Sequence, residues 1–415
     1  MVHLLNAILA ALACLSLALA LWQWFAARRF PLHRRVADSS VSPAITLLKP
    51  LKNCDETTPA SLASWFSQKY AGPVQILFGV ADANDPVCPT VRELIRQNPG
   101  CDAQLVVCEN LAGANAKVAK LVQLEKLAKH DLILVSDADV RVPPDFFANI
   151  VAPLTRPAAT LSPPGWARGE FGLVCCFYRL ANPATPAMLW EAVAVNADFW
   201  SQVLQAVSFR RLDFALGAVM LTRRKLLAEI GGFHALADCL ADDYQLGHRL
   251  AQKGHRLALS PVVVECWDAP MSWRAVWRHQ LRWARTIRVC QPLPYFFSIL
   301  SNATLWPLLW LAMELSKSTP VARTTDYGFF QTSGIGIGLT GGMIAAIAFL
   351  LVRIIVAQNL QRDFTPEKNL VSPFWFVPVK DLLQVALWLG AFAGNTVEWR
   401  GRRMRLRRDG TLVEK

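Results

Sequence analysis

Residues 4–27, LLNAILAALACLSLALALWQWFAA, carry no charged side chain and are long enough to cross a bilayer as one helix. No lysine or arginine precedes this run, whereas Arg28, Arg29, Arg34 and Arg35 follow it. A cleaved secretory leader has the opposite order, with a basic segment ahead of a shorter apolar one. Residues 1–28 therefore read as an anchor whose start lies outside, and the positive-inside rule places the following domain in the cytoplasm. An apolar fraction of 53% and a mean hydropathy of +0.28 agree with a membrane-bound chain. The formal charge of +12 does not point to nucleic acid. The basic residues bunch beside apolar segments, as at Arg28-Arg29 and from Arg402 to Arg408, so a lipid bilayer is the expected partner. The ten cysteines show no CxxC spacing and read as packed thiols without a metal role.

Beyond the anchor, short apolar runs alternate with helical patterns. AITLLK (44–49), VQILFGV (74–80), QLVVC (104–108) and DLILVS (131–136) read as strands. Between the last two, residues 116–130 place Val118, Leu121, Val122, Leu124 and Leu127 on a helical face. Strands that alternate with helices imply an α/β domain with a largely parallel sheet, whose ligands bind at the carboxyl ends of the strands. SDADV ends one strand and GVADANDP another, so Asp137, Asp139, Asp82 and Asp85 are expected on one rim. Mg²⁺ or Mn²⁺ is usually held by one or two carboxylates together with substrate phosphates, which such a rim can supply. Asp139 is then the first candidate ligand and Asp137 reaches the ribose or the metal's water. A solvated acidic turn or a helix cap explains the same residues without a metal.

Two further stretches bear on the site. LADDYQLGHRLAQKG (240–254) reads as a helix ending at Gly254, with Asp242 and Asp243 at its start. The helix dipole keeps carboxylates there ionised, so Asp243 is a candidate general base and its neighbour Asp242 is expected to tolerate substitution better. Simple charge compensation at the helix start is the alternative. WRHQLRWART (277–286) sets Arg278, Arg282 and Arg285 at helical spacing beside Trp277 and Trp283. Arginine can grip a diphosphate bidentately and tryptophan can wall a sugar or lipid pocket. A basic amphipathic helix lying on the membrane has the same composition.

Taken in order, LLKPLKNCD, GVADANDP, GANAKVAKL, LVSDADVRVPPD, FALGAVMLTRRKLLAEIGGF, LADDYQLG and HQLRWARTIR resemble the ceramide glucosyltransferase-like membrane glycosyltransferases. The bacterial group of that family includes hopanoid-biosynthesis-associated enzymes. The resemblance is close from residue 44 to about 290 and looser to GNTVEWRGRRMRL near the C-terminus. It implies a GT-A domain with a mixed, mainly parallel sheet, joined to one N-terminal and two to three C-terminal transmembrane helices. It also implies inverting sugar transfer from UDP-glucose or UDP-N-acetylglucosamine to a lipid hydroxyl, with a divalent cation. By this resemblance Asp82 meets the uracil, Lys117 lies near the diphosphate, and Asp137 and Asp139 form the metal turn. Asp243 is the base, and Arg282 and Trp283 close a (Q/R)xxRW motif whose first position is His279 here. The acceptor is expected to be of ceramide or hopanoid type, with diacylglycerol also compatible. The Pro-rich stretch 155–172 has no assigned role.

Apolar stretches near 295–315, 334–357 and 374–397 follow the catalytic region. Lys380 and Asp381 in the third cannot face lipid unpaired. With a cytoplasmic basic tail, only an even number of these can cross, and 295–315, broken by Asn302 and Pro307, is expected to be interfacial or re-entrant. The expected organisation is an anchor (1–28), a cytoplasmic GT-A domain (40–292), a membrane region (293–399) and a basic tail (400–415). The expected location is a bacterial inner membrane. A processive polysaccharide synthase would need more helices ahead of the domain, and a transporter would leave the rim carboxylates unexplained.

Overall fold

The computed structural model describes residues 1–36, 41–109, 111–155, 171–317, 339–365, 371–399 and 402–414. The chain opens with a helix, Val2–Arg29, that has Arg28 and Arg29 in its last turn. This helix is more than a tether, because its end docks on the following domain. Ala20, Gln23 and Ala27 are buried, Trp22 Nε1 donates to Ser208 Oγ at 3.0 Å, and Gln23 Nε2 donates to Gln205 Oε1 at 3.2 Å.

The domain is built on an eight-stranded mixed sheet. Its strands are β1 (Ile45–Pro50), β2 (Val74–Val80), β3 (Asp102–Val107), β4 (Leu132–Ser136), β5 (Val140–Arg141), β6 (Phe171–Leu180), β7 (Val219–Arg223) and β8 (Arg256–Cys266). The order is β3-β2-β1-β4-β7-β6-β8-β5. The first four strands are mutually parallel, as is the β6–β8 pair, and β7 and β5 run antiparallel to their neighbours. β1 and β4 are buried along their whole length, because helices cover both faces of the sheet. Side chains alternate between two cores: Leu48, Leu77, Ile133 and Val135 enter one, and Leu47, Ile76, Phe78 and Leu134 the other. The strands read from the sequence fall within a few residues of these, and residues 116–130 form the helix Ala116–Leu127.

The pairing directions assemble the rim. The carboxyl ends of β2, β4 and β6 and the amino end of antiparallel β7 all come to one edge, where Asp137 N donates to Ala218 O at 3.1 Å.

Among the described residues two helices, Val2–Arg29 and Gly341–Phe364, are long and apolar enough to cross a membrane. A bent pair, Pro292–Ser301 and Leu305–Lys317, meets at 45°. The second member of that pair packs beside both long helices, with Ala13, Trp310 and Ala346 in the shared contact. The helix Phe376–Phe392 lies instead mainly against the helices Trp273–Cys290 and Pro186–Val193. Lys380 and Asp381 do not face lipid. Arg353 Nη2 reaches Asp198 Oδ2 at 2.9 Å and Asp381 Oδ1 at 2.8 Å, and Lys380 pairs with the same two aspartates. Asp198 is presented by a π-helical turn, Ala194–Phe199, so the network locks the domain to the helical region. The stretch 156–170 and residues 334–338 of the second apolar segment lie outside the described residues.

The segment expected to be a basic tail holds regular structure. β9 (Thr396–Trp399), β10 (Arg402–Leu406) and β11 (Leu412–Glu414) form an antiparallel sheet. Val397, Met404, Leu406 and Leu412 bury one side of it against Leu240, while Arg403 and Arg405 point to the other. Alternation along β10 thus accounts for a run that composition alone reads as a tail.

Candidate active site

Four of the expected residues meet at the rim. Asn115 caps the helix Ala116–Leu127, its side chain accepting from Lys117 N and Val118 N. That cap aims Lys117 inward, where its Nζ lies 2.7 Å from Asp137 Oδ1 and 3.0 Å from Asp242 Oδ2. Burial alone would lower the Lys117 pKa, but Asp137 and Asp242 outweigh it and hold the ammonium above its usual range. Asp242 is itself buried and accepts from Asn115 Nδ2 at 3.3 Å. The structure gives Asp242, expected to be the more tolerant neighbour, an ion pair that the sequence did not show. Its carboxylate is the counter-ion of Lys117 as well as a helix-start charge.

Asp243 lies within electrostatic reach of the same cluster and is partly exposed, its Oδ1 accepting from Tyr244 N at 2.8 Å. Burial, then the Asp242 charge, push its carboxyl up to about 6 against the opposing pull of Lys117. Its place depends on two glycines. A Cβ on Gly217 would stand 2.5 Å from Asp243 Oδ2, and one on Gly247 would stand 2.2 Å from Ala215 N. Only hydrogen at these positions lets the helix Asp242–Gln252 lie against the segment leading into β7.

Asp139 occupies the second position of the acidic turn. Burial first, then Asp137 and Asp268, raise its carboxyl to about 7. Beneath the turn sits Lys49, fully buried at the end of β1, which donates to Ser136 Oγ at 3.2 Å and to the Asp137 carbonyl. Lys49 and Asp268 were missed on sequence; each is one charge at a strand end, and that position is the only signal that marks them. Burial, then Glu191 and Asp55, raise Asp268 to about 6. Among the described residues no group of three or more His, Cys, Asp or Glu is arranged to hold a metal ion. The hard-oxygen pair Asp137 and Asp139 nevertheless fits Mg²⁺ or Mn²⁺, which complete their shells with phosphates and water.

Asp82 stands exposed after β2, its Oδ1 accepting from Asn84 N at 2.9 Å. Asp85, also on the rim, has a structural part, since its carboxylate accepts from Asn53 N and Val87 N. On the far side, Trp283 packs edge-on to Tyr178 with ring centroids 6.5 Å apart. Tyr178 and Leu180 are the two partly exposed residues near the end of otherwise buried β6. His279, the departure from the (Q/R)xxRW pattern, pairs through Nδ1 with buried Glu191 at 2.7 Å and lies 4.4 Å from the Trp283 ring. It therefore steadies the tryptophan. Arg282 lines a cleft between the helix Trp273–Cys290 and the C-terminal sheet.

The rim thus combines a carboxyl poised near 6, a buried ammonium, a hard-oxygen pair and an aromatic wall. The profile of glycosyl transferase family 21 matches residues 7–412. Ceramide glucosyltransferase 1 of Caenorhabditis elegans is 20% identical over 92% of this chain and 76% of its own length. A ceramide glucosyltransferase of Candida albicans is 32% identical over 28% of this chain and 24% of its own length. Among solved structures, the mannosyltransferase PcManGT of Pyrobaculum calidifontis, in complex with GDP-Man and Mn²⁺, aligns over 94% of this chain and 98% of that one. Its identity is 19% and its TM-score 0.48. The chain belongs to glycosyl transferase family 21, and is a glycosyltransferase.

Proposed function

We propose that the protein moves a sugar, with inversion, from UDP-glucose or UDP-N-acetylglucosamine to a hydroxyl of a ceramide- or hopanoid-type membrane lipid. The observation that carries this reading is the Asp243 carboxyl, raised to about 6 at the rim beside the Lys117–Asp242 pair. A base of that pKa is largely ionised at neutral pH yet can still take a proton. The acceptor hydroxyl attacks the anomeric carbon as its proton passes to Asp243. The bond from that carbon to the diphosphate oxygen breaks, and UDP leaves with the electron pair.

Asp82 meets the uracil, exposed as it is at the end of β2. Lys117 offers its ammonium to the diphosphate, for which Asp137 now substitutes. Arg282 adds positive charge toward the same leaving group, and Trp283 with Tyr178 walls the acceptor side. A divalent cation held by Asp137 and Asp139 would supply neutralisation of the diphosphate charge. The domain works at the cytoplasmic face of a multi-pass inner membrane protein, which suits an acceptor that stays in the bilayer. The relatives named as ceramide glucosyltransferases support the lipid acceptor.

The test is purified protein in nanodiscs, offered each UDP-sugar with ceramide, hopanoid or diacylglycerol, with products read by mass spectrometry. Formation of one glycolipid, lost in excess chelator, is the expected result. Free oligosaccharide without any glycolipid would contradict the proposal.

A further inference from the structure

Residues 237–241 lead into the helix Asp242–Gln252 and so set where that helix starts. One edge of this loop is fastened to the turn ahead of the helix Ala116–Leu127. Asn115 N donates to the Ala237 carbonyl at 2.8 Å, Ala114 N to Asp238 Oδ1 at 2.9 Å, and Asn115 Nδ2 to the Cys239 carbonyl at 2.8 Å. Its other edge is fastened by the far end of the chain. Leu412 N donates to the Asp238 carbonyl at 2.8 Å, Leu240 N donates to the Gly410 carbonyl at 3.2 Å, and Cys239 bridges Thr411 in antiparallel register. Residues 238–240 thus lie along β11 as one more strand of the C-terminal sheet. Leu240 is buried among Val397, Met404, Leu406 and Leu412, so side chains seal what the backbone joins.

The hairpin that presents β11 is shaped by its own turn. Arg407 N donates to the Thr411 carbonyl at 2.9 Å, and Asp409 Oδ1 accepts from Thr411 N at 3.0 Å and from Thr411 Oγ1 at 2.7 Å. A carboxylate that bonds the backbone two residues on fixes a tight turn. At the opposite edge of the sheet, Arg278 Nη1 pairs with Glu398 Oε1 at 2.9 Å, and Arg285 Nη1 donates to the Thr396 carbonyl. The sheet is therefore anchored on the helix Trp273–Cys290 and lays its last strand on the loop ahead of Asp242 and Asp243. A loop held along both edges has little room to move, whereas one held along a single edge can swing.

We propose that Leu412 and Asp409 are positioning residues for Asp243: the C-terminal hairpin pairs β11 with residues 238–240 and thereby sets the reach of the Asp243 carboxylate. The hairpin fixes the loop, and the loop fixes the first turn of the helix that carries the base. Asp243 accepts from the neighbouring Tyr244 N, within its own helix, so its place follows that of the helix start. A catalytic group misplaced by about 1 Å can cost about 10²-fold in rate. That the hairpin acts on turnover rests on Asp243 being the base. That it holds the loop does not.

The test compares full-length wild type, Leu412→Pro and Leu412→Val in phosphatidylcholine nanodiscs. Proline removes the N–H that bonds Asp238, and valine keeps it with an apolar, strand-forming side chain. Hydrogen exchange read by mass spectrometry should speed up at residues 238–246 in Leu412→Pro, and not in β1 or β4. Single-turnover glycolipid formation should fall at least about tenfold while UDP affinity by calorimetry stays within about threefold. Leu412→Val should stay near wild type. Asp409 is exposed, so Asp409→Ala should fold and move both readouts the same way, less strongly. In an Asp243→Asn background, Leu412→Pro should cost less than about threefold more, because the hairpin then has no base left to position. The proposal is overturned if exchange at 238–246 is unchanged in both Leu412→Pro and Asp409→Ala, or if Leu412→Pro costs the same factor with and without Asp243. A joint loss of UDP affinity and melting temperature would reduce the hairpin to a fold support and overturn it too. If Asp243→Asn alone keeps the wild-type rate, the base assignment fails and the positioning role falls with it, whatever the exchange result.

Discussion

The Lys117 ammonium reaches the Asp242 carboxylate at 3.0 Å and so joins the start of one helix to the start of another across the rim. Both side chains are about nine-tenths buried, and Asp137 completes the cluster. Removing one partner of such a pair leaves a buried charge uncompensated, which typically costs about 3–5 kcal/mol. Asp242→Asn and Lys117→Met should therefore each lower the melting temperature and depress turnover together. Normal stability with normal turnover in Asp242→Asn would mean that the pair has no structural part.

Gly217 carries the position of Asp243 on its missing side chain. A methyl group there would meet the Asp243 carboxylate at 2.5 Å, so the carboxylate must move. Gly217→Ala should lower kcat by at least about tenfold while donor affinity changes little, since only the base is displaced. Calorimetry with UDP and single-turnover kinetics separate the two effects. An unchanged kcat would show that Asp243 need not sit where it does.

The raised carboxyl gives two opposite trends with pH. Asp243 is held at about 6, above its unfolded value near ~4, chiefly by burial. As a base it must be ionised, so kcat/KM should fall as pH drops through about 6. The sign for stability is reversed: the folded state binds the proton more tightly, so this group's contribution is present at acid pH and is lost as pH rises through about 6. A pH–rate profile with an acidic limb near 6 is expected, and a flat profile between about pH 5 and 8 would contradict the assignment.

How much of this was legible depended on pattern length. β1, β2 and β4 could be read because strands buried on both faces are continuous apolar runs with turns at their ends. The acids at those ends followed from the parallel topology. β9 to β11 are short, and β10 alternates arginine with Met404 and Leu406, so charge masked the strand period. Lys49 and Asp268 are single charges without spacing. Asp242 and Asp243 both suit a helix start, so nothing in the sequence marked Asp242 as an ion-pair partner. What separates them is Lys117, far away in the chain and brought close only by the fold.

Topology can be tested separately. The helix Leu305–Lys317 packs beside Val2–Arg29 and Gly341–Phe364, whereas Phe376–Phe392 packs mainly on the domain side. On this reading the bent pair Pro292–Ser301 and Leu305–Lys317 crosses as one span and Phe376–Phe392 does not, which still gives an even number of crossings after the domain. A reporter after Lys317 should then report the outside, and reporters after Arg35 and at Lys415 the cytoplasm. A cytoplasmic signal after Lys317 would return the stretch 295–315 to an interfacial place.

The central claim is that Asp243 takes the acceptor's proton. Asn at this position keeps the size and most of the hydrogen bonding, and the Tyr244 N–H still finds an oxygen. The decisive measurement is glycolipid formation by Asp243→Asn under single-turnover conditions, with UDP affinity measured on the same sample. The account predicts donor binding within a few-fold of wild type and a rate lower by about 10²–10⁴-fold, the usual worth of a general base. A rate equal to wild type, with binding intact, would contradict it and move the base to another residue.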